Sequence, residues 1–143
     1  GLGDVYKRQF MLGEEYRPAP YSKEYVESTL RRLSCLGPSK VVLTGVAFDG
    51  RQVGSASYDR STDEISYALS DTVDGYFHGT GDVFASALLG AYMNGLSLAE
   101  SARIAVDYTH GCIVRTKEAG TDLRYGVDFE HGIPDLLRQT GII

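Results

Sequence analysis

The feature that most constrains this chain is a short segment, Gly79-Thr80-Gly81-Asp82, that runs directly into a helical pattern. Glycine at 79 and 81 lets the backbone take strained angles and approach a ligand closely. The first N–H groups of a helix lack internal acceptors and lie at the positive end of its macrodipole. The segment therefore predicts an anion-binding site. The apolar positions that mark the helix after it are Val83, Phe84, Ala87, Leu88, Ala91 and Tyr92.

Asp82 is the unexpected member of this segment, because a carboxylate repels the phosphate that the N–H groups attract. The sequence alone leaves two interpretations open. In one, Asp82 is a base that takes the proton from a hydroxyl group as that group attacks phosphorus. In the other, Asp82 caps the helix after a glycine turn and has no chemical role.

The segment followed by Val83-Phe84-Ala85-Ser86 resembles the anion-hole signature of the ribokinase-like superfamily. Within that superfamily it is most similar to the bacterial pyridoxal (pyridoxamine) kinases. The sugar kinases usually carry alanine in place of Thr80, and the hydroxymethylpyrimidine kinases usually carry cysteine in place of Asp82. The likeness runs from about residue 10 to the C-terminus and covers only the C-terminal half of the family's fold.

The resemblance implies a kinase that transfers a phosphoryl group from ATP to the 5′-hydroxymethyl group of pyridoxal, pyridoxamine or pyridoxine in vitamin B6 salvage. It makes Asp82 the catalytic base and the backbone N–H groups of Gly79, Thr80, Gly81 and Asp82 the anion hole. It also implies Mg²⁺ at the phosphates, often a monovalent cation such as K⁺, and a homodimeric full-length form. The alternatives are a hydroxymethylpyrimidine kinase and a catalytically silent nucleotide-binding fragment.

A run of apolar residues over 40–45 lacks alternation, which is typical of a parallel strand buried on both faces. Such a strand implies a neighbour on each side, one of them from the missing half of the fold. Thr44 stands at its carboxyl end, where ligands gather in open α/β sheets, although a threonine there can also bond its own backbone. The resemblance places a phosphate-binding threonine at this position and an adenine-contacting residue at Val73. The residues expected to bind the nucleotide are Thr44, Val73, Gly79 and Gly81.

Helical and strand patterns are both found along the rest of the chain. Ser97 and Glu100 form a capping box at the start of one helix. Residues 52–58 and 64–69 predict an antiparallel hairpin, and Ser22 is a good helix N-cap. With the resemblance, the expected fold class is the C-terminal part of a ribokinase-like (Rossmann-like) three-layer sandwich, with a mainly parallel sheet and an antiparallel hairpin.

Residues 1–9 do not fit these patterns. They begin without methionine and resemble a translated sequencing-adaptor tail more than any part of a kinase. We expect residues 1–9 to be non-native and residues 10–143 to be the C-terminal nucleotide-binding half of a kinase domain. The resemblance assigns the vitamin-ring pocket to the other half. We therefore expect residues 1–143 to lack pyridoxal kinase activity by themselves.

Composition argues against several classes of function. The net charge is −5 and lysine and arginine are not clustered, which disfavours a nucleic-acid partner. Because no apolar run approaches the roughly 18 residues of a membrane-spanning helix and no signal peptide is visible, we expect a cytoplasmic protein with no membrane partner. The three histidines share no metal-ligand spacing, so no protein metal site is expected.

Several other reactive or charged side chains are given structural rather than ligand-binding roles. Cys35 and Cys112 are expected to be buried free thiols rather than a disulfide. His78 is expected to form a structural hydrogen bond to the glycine loop. The cationic side chains expected on a solvated face are Arg115, Lys117 and Arg124.

Overall fold

In the computed structural model the chain divides into two units, Gly1–Thr72 and Val73–Ile143. The structure describes residues 2–3, 11–15 and 18–143. Within these residues, the first unit carries the strands and one long helix, and the second unit is helical. The predicted α/β fold class is therefore confirmed.

The sheet of the first unit has four strands in the order β1-β2-β3-β4. The strands are Leu2–Gly3, Lys40–Val46, Gln52–Asp59 and Glu64–Asp71. β1 pairs with β2 in parallel, whereas β2 with β3 and β3 with β4 are antiparallel. The predicted hairpin is confirmed. The expectation of a mainly parallel sheet is wrong for the described residues, because two of the three pairings are antiparallel and only the pairing of β1 with β2 is parallel.

The short strand β1 lies within the segment expected to be non-native. Leu2 and Gly3 pair with Val42 and Leu43, on the edge of β2 opposite β3. The apolar pattern of β2 predicted a neighbouring strand on this edge from the missing half of the fold, whereas the structure places residues 2–3 of this chain there. The rest of residues 1–9 lies outside the described residues. Their non-native origin, and the domain boundary at residue 10, stay predictions.

One face of this sheet packs against helix α1, Lys23–Cys35, and forms the core of the first unit. The predicted N-cap of α1 is confirmed, because the Ser22 hydroxyl accepts a hydrogen bond from the Tyr25 N–H at 3.2 Å. Side chains of a strand alternate between its two faces, so every second residue of β2 and β3 reaches this core. The core residues are Tyr21, Val26, Leu30, Leu33, Val41, Leu43, Val46, Ala56 and Tyr58.

The second unit is built on two helices, α2 (Thr80–Met93) and α3 (Leu98–Ala119), which pack against each other. The predicted capping box of α3 is confirmed. The Ser97 hydroxyl accepts from the Glu100 N–H at 3.1 Å, and the Glu100 carboxylate accepts from the Ser97 N–H at 2.9 Å. These bonds hold the pKa of the Glu100 carboxyl below its usual value. A short helix, α4 (Ile133–Gln139), follows.

The structure corrects the burial predicted for one of the two cysteines. Cys35 was expected to be buried but is exposed, because it is the last residue of α1 and lies off the face that buries Val26, Leu30 and Leu33. Cys112 is buried as predicted, and both thiols are free.

Among the described residues, no helix combines the length and the apolar character that crossing a bilayer requires.

Two leucines at the same helix test the core of the first unit. Leu30 is 0% exposed, whereas Leu36, just beyond α1, is 55% exposed. Leu30→Ala is expected to lower the free energy of unfolding by about 2–5 kcal/mol, because it removes buried methyl groups and leaves a cavity. Leu36→Ala, the same change at an exposed site, is expected to alter it by about 0.5 kcal/mol or less. Urea denaturation followed by circular dichroism measures both, and equal losses would contradict the packing.

Candidate active site

The candidate site is the N-terminus of α2, where the backbone turns sharply at Gly79. Gly79 is the N-cap residue, with φ 83° and ψ 0° in the left-handed region, which is unfavourable for a residue that carries a Cβ. Only this glycine of the pair is strained. Gly81 has no positive φ and is the second residue of the helix. The expectation of strained angles is therefore confirmed at Gly79 and wrong at Gly81.

The N–H groups of residues 79–82 have no acceptor within α2, because they precede the first intrahelical donor. That donor is the Val83 N–H, which binds the Gly79 carbonyl oxygen at 3.0 Å. Among the described residues, none of the four earlier N–H groups donates to another protein group. A Cβ built at Gly79 or Gly81 would meet no atom of the described residues within 4 Å. The open space and the four donors together suit an anion.

Asp82 is the third residue of α2, and its side chain is exposed. Its carboxylate forms no hydrogen bond or ion pair with the residues of the second unit, all of which the structure describes. The cap position belongs to Gly79, which has no side chain, so the interpretation of Asp82 as the N-cap is wrong. The carboxylate is available to accept a proton beside four N–H donors.

The segment before the loop is shaped by contacts that the sequence did not predict. Gly75 has φ 131°, and a Cβ there would lie 2.9 Å from the Phe77 ring, so the ring packs closely over the glycine backbone. The His78 ring packs edge-to-face against Tyr76, with centroids 4.9 Å apart and an interplanar angle of 88°. This contact replaces the hydrogen bond to the loop that was expected of His78. The available sequence signal was Gly75, a second turn-forming residue ahead of Gly79.

A turn that follows α3 approaches the same loop. Leu123–Tyr125 forms a 3₁₀ turn that ends at Gly126. Gly126 has φ 81°, and a Cβ built on it would lie 3.6 Å from the His78 carbonyl oxygen. The backbone of this turn is therefore a neighbour of the residue that immediately precedes Gly79. No local pattern predicts such an approach, because the two segments are far apart in the chain.

The cationic side chains after α3's midpoint do not behave as one solvated set. Arg115 is half-buried, and its Nη2 donates to the Asp128 carbonyl oxygen at 3.2 Å and lies 3.4 Å from Cys112 Sγ. Burial raises the pKa of the Cys112 thiol. The solvated-face prediction is wrong for Arg115, because its guanidinium holds the segment after the turn against α3. Lys117 and Arg124 are exposed as predicted.

The other two residues predicted to bind the nucleotide precede the glycine loop in the sequence. Thr44 is a half-buried residue of β2 in the first unit, opposite Ser55 of β3. Val73 is half-buried and begins the second unit. The structure thus brings residues 79–82 together at one helix terminus. Nucleotide contacts of Thr44 and Val73 stay predictions.

A protein metal site needs several ligating side chains close together. In the part of the chain that the structure describes, no group of three or more His, Cys, Asp or Glu side chains could hold a metal ion. Asp82 alone offers one carboxylate, and a hard cation such as Mg²⁺ binds through one or two carboxylates together with substrate phosphates. No metal ligands are therefore assigned among the described residues.

The family model of the phosphomethylpyrimidine kinases matches residues 9–126. No curated protein matches the chain. Among solved structures, a Bacteroides thetaiotaomicron protein assigned to the phosphomethylpyrimidine kinases is 26% identical with a TM-score of 0.88, over 94% of this chain and 46% of that one. A second crystal form of that protein contains pyridoxal.

Two pyridoxal kinases have the same fold. The enzyme from Lactobacillus plantarum is 24% identical, with a TM-score of 0.83, over 96% of this chain and 48% of that one. The Leishmania donovani enzyme, solved with ADP and pyridoxamine, is 18% identical, with a TM-score of 0.78, over 94% and 46%. The chain therefore spans about half the length of these solved relatives.

These matches confirm the ribokinase-like fold class predicted from the sequence. They also confirm the resemblance, which was based on the segment at residues 79–86 and its glycine loop. That segment falls within the range that the family model matches. The chain belongs to the phosphomethylpyrimidine kinase family.

Proposed function

We propose that this chain is the nucleotide-binding, base-bearing half of a pyridoxal kinase. The reaction is transfer of the γ-phosphoryl group of ATP to the 5′-hydroxymethyl group of pyridoxal, pyridoxamine or pyridoxine. Membership of the family supports a phosphotransferase. The observation that carries the finer proposal is Asp82, an exposed carboxylate without a partner in its unit, placed among four unpaired N–H groups.

In this proposal, Asp82 removes the proton from the attacking alcohol. A neutral alcohol is a weak nucleophile, so its proton must leave as the oxygen bonds to phosphorus. The oxygen–phosphorus bond to the vitamin forms, the bond from the γ-phosphorus to the ADP oxygen breaks, and Asp82 holds the proton. The N–H groups of residues 79–82 donate to the oxygens of the transferred phosphoryl group and stabilise its charge.

ATP is the proposed donor because pyridoxal kinases of this fold have been solved with ADP and with AMP-PCP. Thr44 and Val73 are proposed to contact the nucleotide, together with Gly79 and Gly81. Mg²⁺ is proposed to accompany the nucleotide phosphates, and K⁺ to act as a monovalent cation. We also propose a cytoplasmic enzyme whose full-length form is a homodimer.

A hydroxymethylpyrimidine kinase is the second candidate, and the description of the matching family favours it. The two reactions share the phosphoryl donor and the hydroxymethyl acceptor and differ in the ring. Aspartate at position 82 supports pyridoxal, because the hydroxymethylpyrimidine kinases that the sequence resembles usually carry cysteine there. The two candidates are distinguished by offering pyridoxal and hydroxymethylpyrimidine together to one active enzyme preparation. The alcohol that is phosphorylated faster identifies the substrate.

Turnover tests the proposed base. Because the chain spans about half the length of its solved relatives, the assay adds the N-terminal half of a full-length homologue as a second chain. Residues 1–143 alone are expected to form no pyridoxal 5′-phosphate, since the alcohol must be held within about 3 Å of its base. In the active mixture, Asp82→Asn is expected to lower the rate by about 10²–10⁴, because an amide cannot take the proton.

The matched control for this assay is Asp74→Asn, which changes an exposed aspartate of the loop before Gly79 in the same way. It is expected to keep the rate within about threefold of the unmodified mixture. Equal losses at Asp74 and Asp82 would argue that charge alone matters. Clear turnover by residues 1–143 without the second chain would show that the activity needs no other half.

Pyrophosphate binding tests the anion site without turnover. Asp82→Asn removes a negative charge from beside four N–H donors, so it is expected to tighten pyrophosphate binding by about three- to tenfold at low ionic strength. The gain is expected to shrink as salt is added. Isothermal titration calorimetry of residues 1–143 measures both, with Asp74→Asn as control. Unchanged or weaker binding by Asp82→Asn would place the anion elsewhere.

The two glycines of the loop give a paired stability test. Gly79→Ala is expected to lower the free energy of unfolding by about 1–2 kcal/mol, because alanine is unfavourable at φ 83°. Gly81→Ala lies within a helix turn with open space around the new methyl group, so it is expected to leave stability unchanged or raise it by up to about 1 kcal/mol. Urea denaturation compares them, and the reverse order would contradict the turn geometry.

A further inference from the structure

The 3₁₀ turn Leu123–Tyr125 presents an aromatic side chain beside the candidate site. Tyr125 is 87% exposed, whereas Val127, two residues later, is 5% exposed. Gly126 lies between them, and its backbone approaches the His78 carbonyl oxygen. Consecutive Cα atoms are about 3.8 Å apart, so the Tyr125 backbone lies next to a residue that approaches the residue before Gly79. A second exposed ring, that of Tyr76, packs on His78 at the same loop.

The turn itself is held by its own polar groups. The Asp122 carboxylate accepts a hydrogen bond from the Arg124 N–H at 3.0 Å and binds the Arg124 guanidinium at 2.6 Å. The Tyr125 N–H donates to the Asp122 carbonyl oxygen at 3.1 Å, and the Gly126 N–H donates to that of Leu123 at 3.3 Å. Tyr125 is therefore exposed on a turn with fixed backbone bonds.

The chain that follows the turn is tied to α3 at three points. The Thr116 hydroxyl accepts from the Asp128 N–H at 2.8 Å. The Arg115 guanidinium donates to the Asp128 carbonyl oxygen. The Tyr108 hydroxyl donates to the Phe129 carbonyl oxygen at 2.6 Å. These bonds anchor the chain on the C-terminal side of Tyr125, just as the Asp122 bonds anchor it on the N-terminal side.

An exposed tyrosine on an anchored turn is suited to bind a flat ring. A tyrosine has few side-chain rotations to lose on binding, and a turn that is already ordered adds little further entropy cost. Stacking on an aromatic side chain needs no matched hydrogen bonds, because every heteroaromatic ring has a π face. Both ligands of the proposed reaction carry such a ring, adenine in the nucleotide and pyridine in the vitamin.

We infer that Tyr125 is a specificity-determining residue that stacks on the heteroaromatic ring of a ligand whose phosphate or hydroxymethyl group lies at the N-terminus of α2. This inference rests on the proposed function. The ring is either adenine or the pyridine of the vitamin, and the experiment separates the two. Tyr125 takes no part in proton transfer, which the proposal assigns to Asp82.

The experiment is a set of calorimetric titrations of residues 1–143 with ADP, with pyridoxal and with pyrophosphate. Tyr125→Ala is expected to weaken binding of one ring-bearing ligand by about tenfold and to leave pyrophosphate binding unchanged. Tyr125→Phe keeps the ring and is expected to retain affinity within about twofold. Leu123→Ala removes an apolar side chain from the same turn without removing a ring, and it is the matched control. Circular dichroism verifies that each variant is folded.

The outcomes separate the possibilities. A loss confined to ADP identifies adenine as the stacked ring, and a loss confined to pyridoxal identifies the pyridine. Unchanged binding of both by Tyr125→Ala, or an equal loss for pyrophosphate, overturns the inference and leaves the proposed function standing. Unchanged binding with lost turnover in the two-chain mixture would make Tyr125 a contact for the other half, which also overturns it. Failure of the unmodified chain to bind any of the three overturns the proposed function too.

Discussion

The unpaired N–H groups at the start of α2 are the interaction on which the candidate site depends. A helix cannot satisfy its first donors internally, and here the N-cap is a glycine without a side chain to accept from them. The left-handed turn at Gly79 fixes where these donors lie, and the buried residues Phe84 and Leu88 fix the helix behind them. Because no described residue accepts from these donors, the site is open to water or to an anion. Asp82 makes this site chemically distinct, since it puts a proton acceptor among the donors.

The features that the sequence predicted correctly depend on neighbours in the chain. The Ser22 cap, the Ser97–Glu100 capping box and the β3–β4 hairpin each arise within a few residues and leave a spacing that can be read. The features that it missed join distant segments. Arg115 binds a carbonyl group beyond the end of its helix, and Gly126 approaches the backbone of His78. Contacts between distant segments leave no periodic pattern in the sequence. Predictions from charge or residue type alone therefore missed them.

The family is indicated by residues that are close together in the chain, whereas the substrate is determined by residues from distant segments. Phosphoryl transfer needs little beyond positioning, charge stabilisation and a base, and one glycine loop with one aspartate can provide the last two. That is why a segment of about ten residues was enough to indicate a kinase family that the comparisons then showed. Positioning of a particular alcohol needs a shaped pocket drawn from several segments. The segment at residues 79–86 therefore indicates the family and does not by itself indicate the substrate.

The long helix α3 makes both local contacts and contacts with segments distant in the chain. Its buried side chains include Ala102, Ala105 and Cys112. Two side chains of its later turns, those of Arg115 and Thr116, bind the backbone of Asp128. Burial leaves Arg115 Nε without a hydrogen-bond partner in the described residues, which costs free energy. The same guanidinium donates through Nη2 to the Asp128 carbonyl oxygen, and so holds the chain that follows Gly126 and the turn beside His78. The order of this turn thus comes from packing on α3, while the glycine loop owes its order to α2, and the two helices pack against each other.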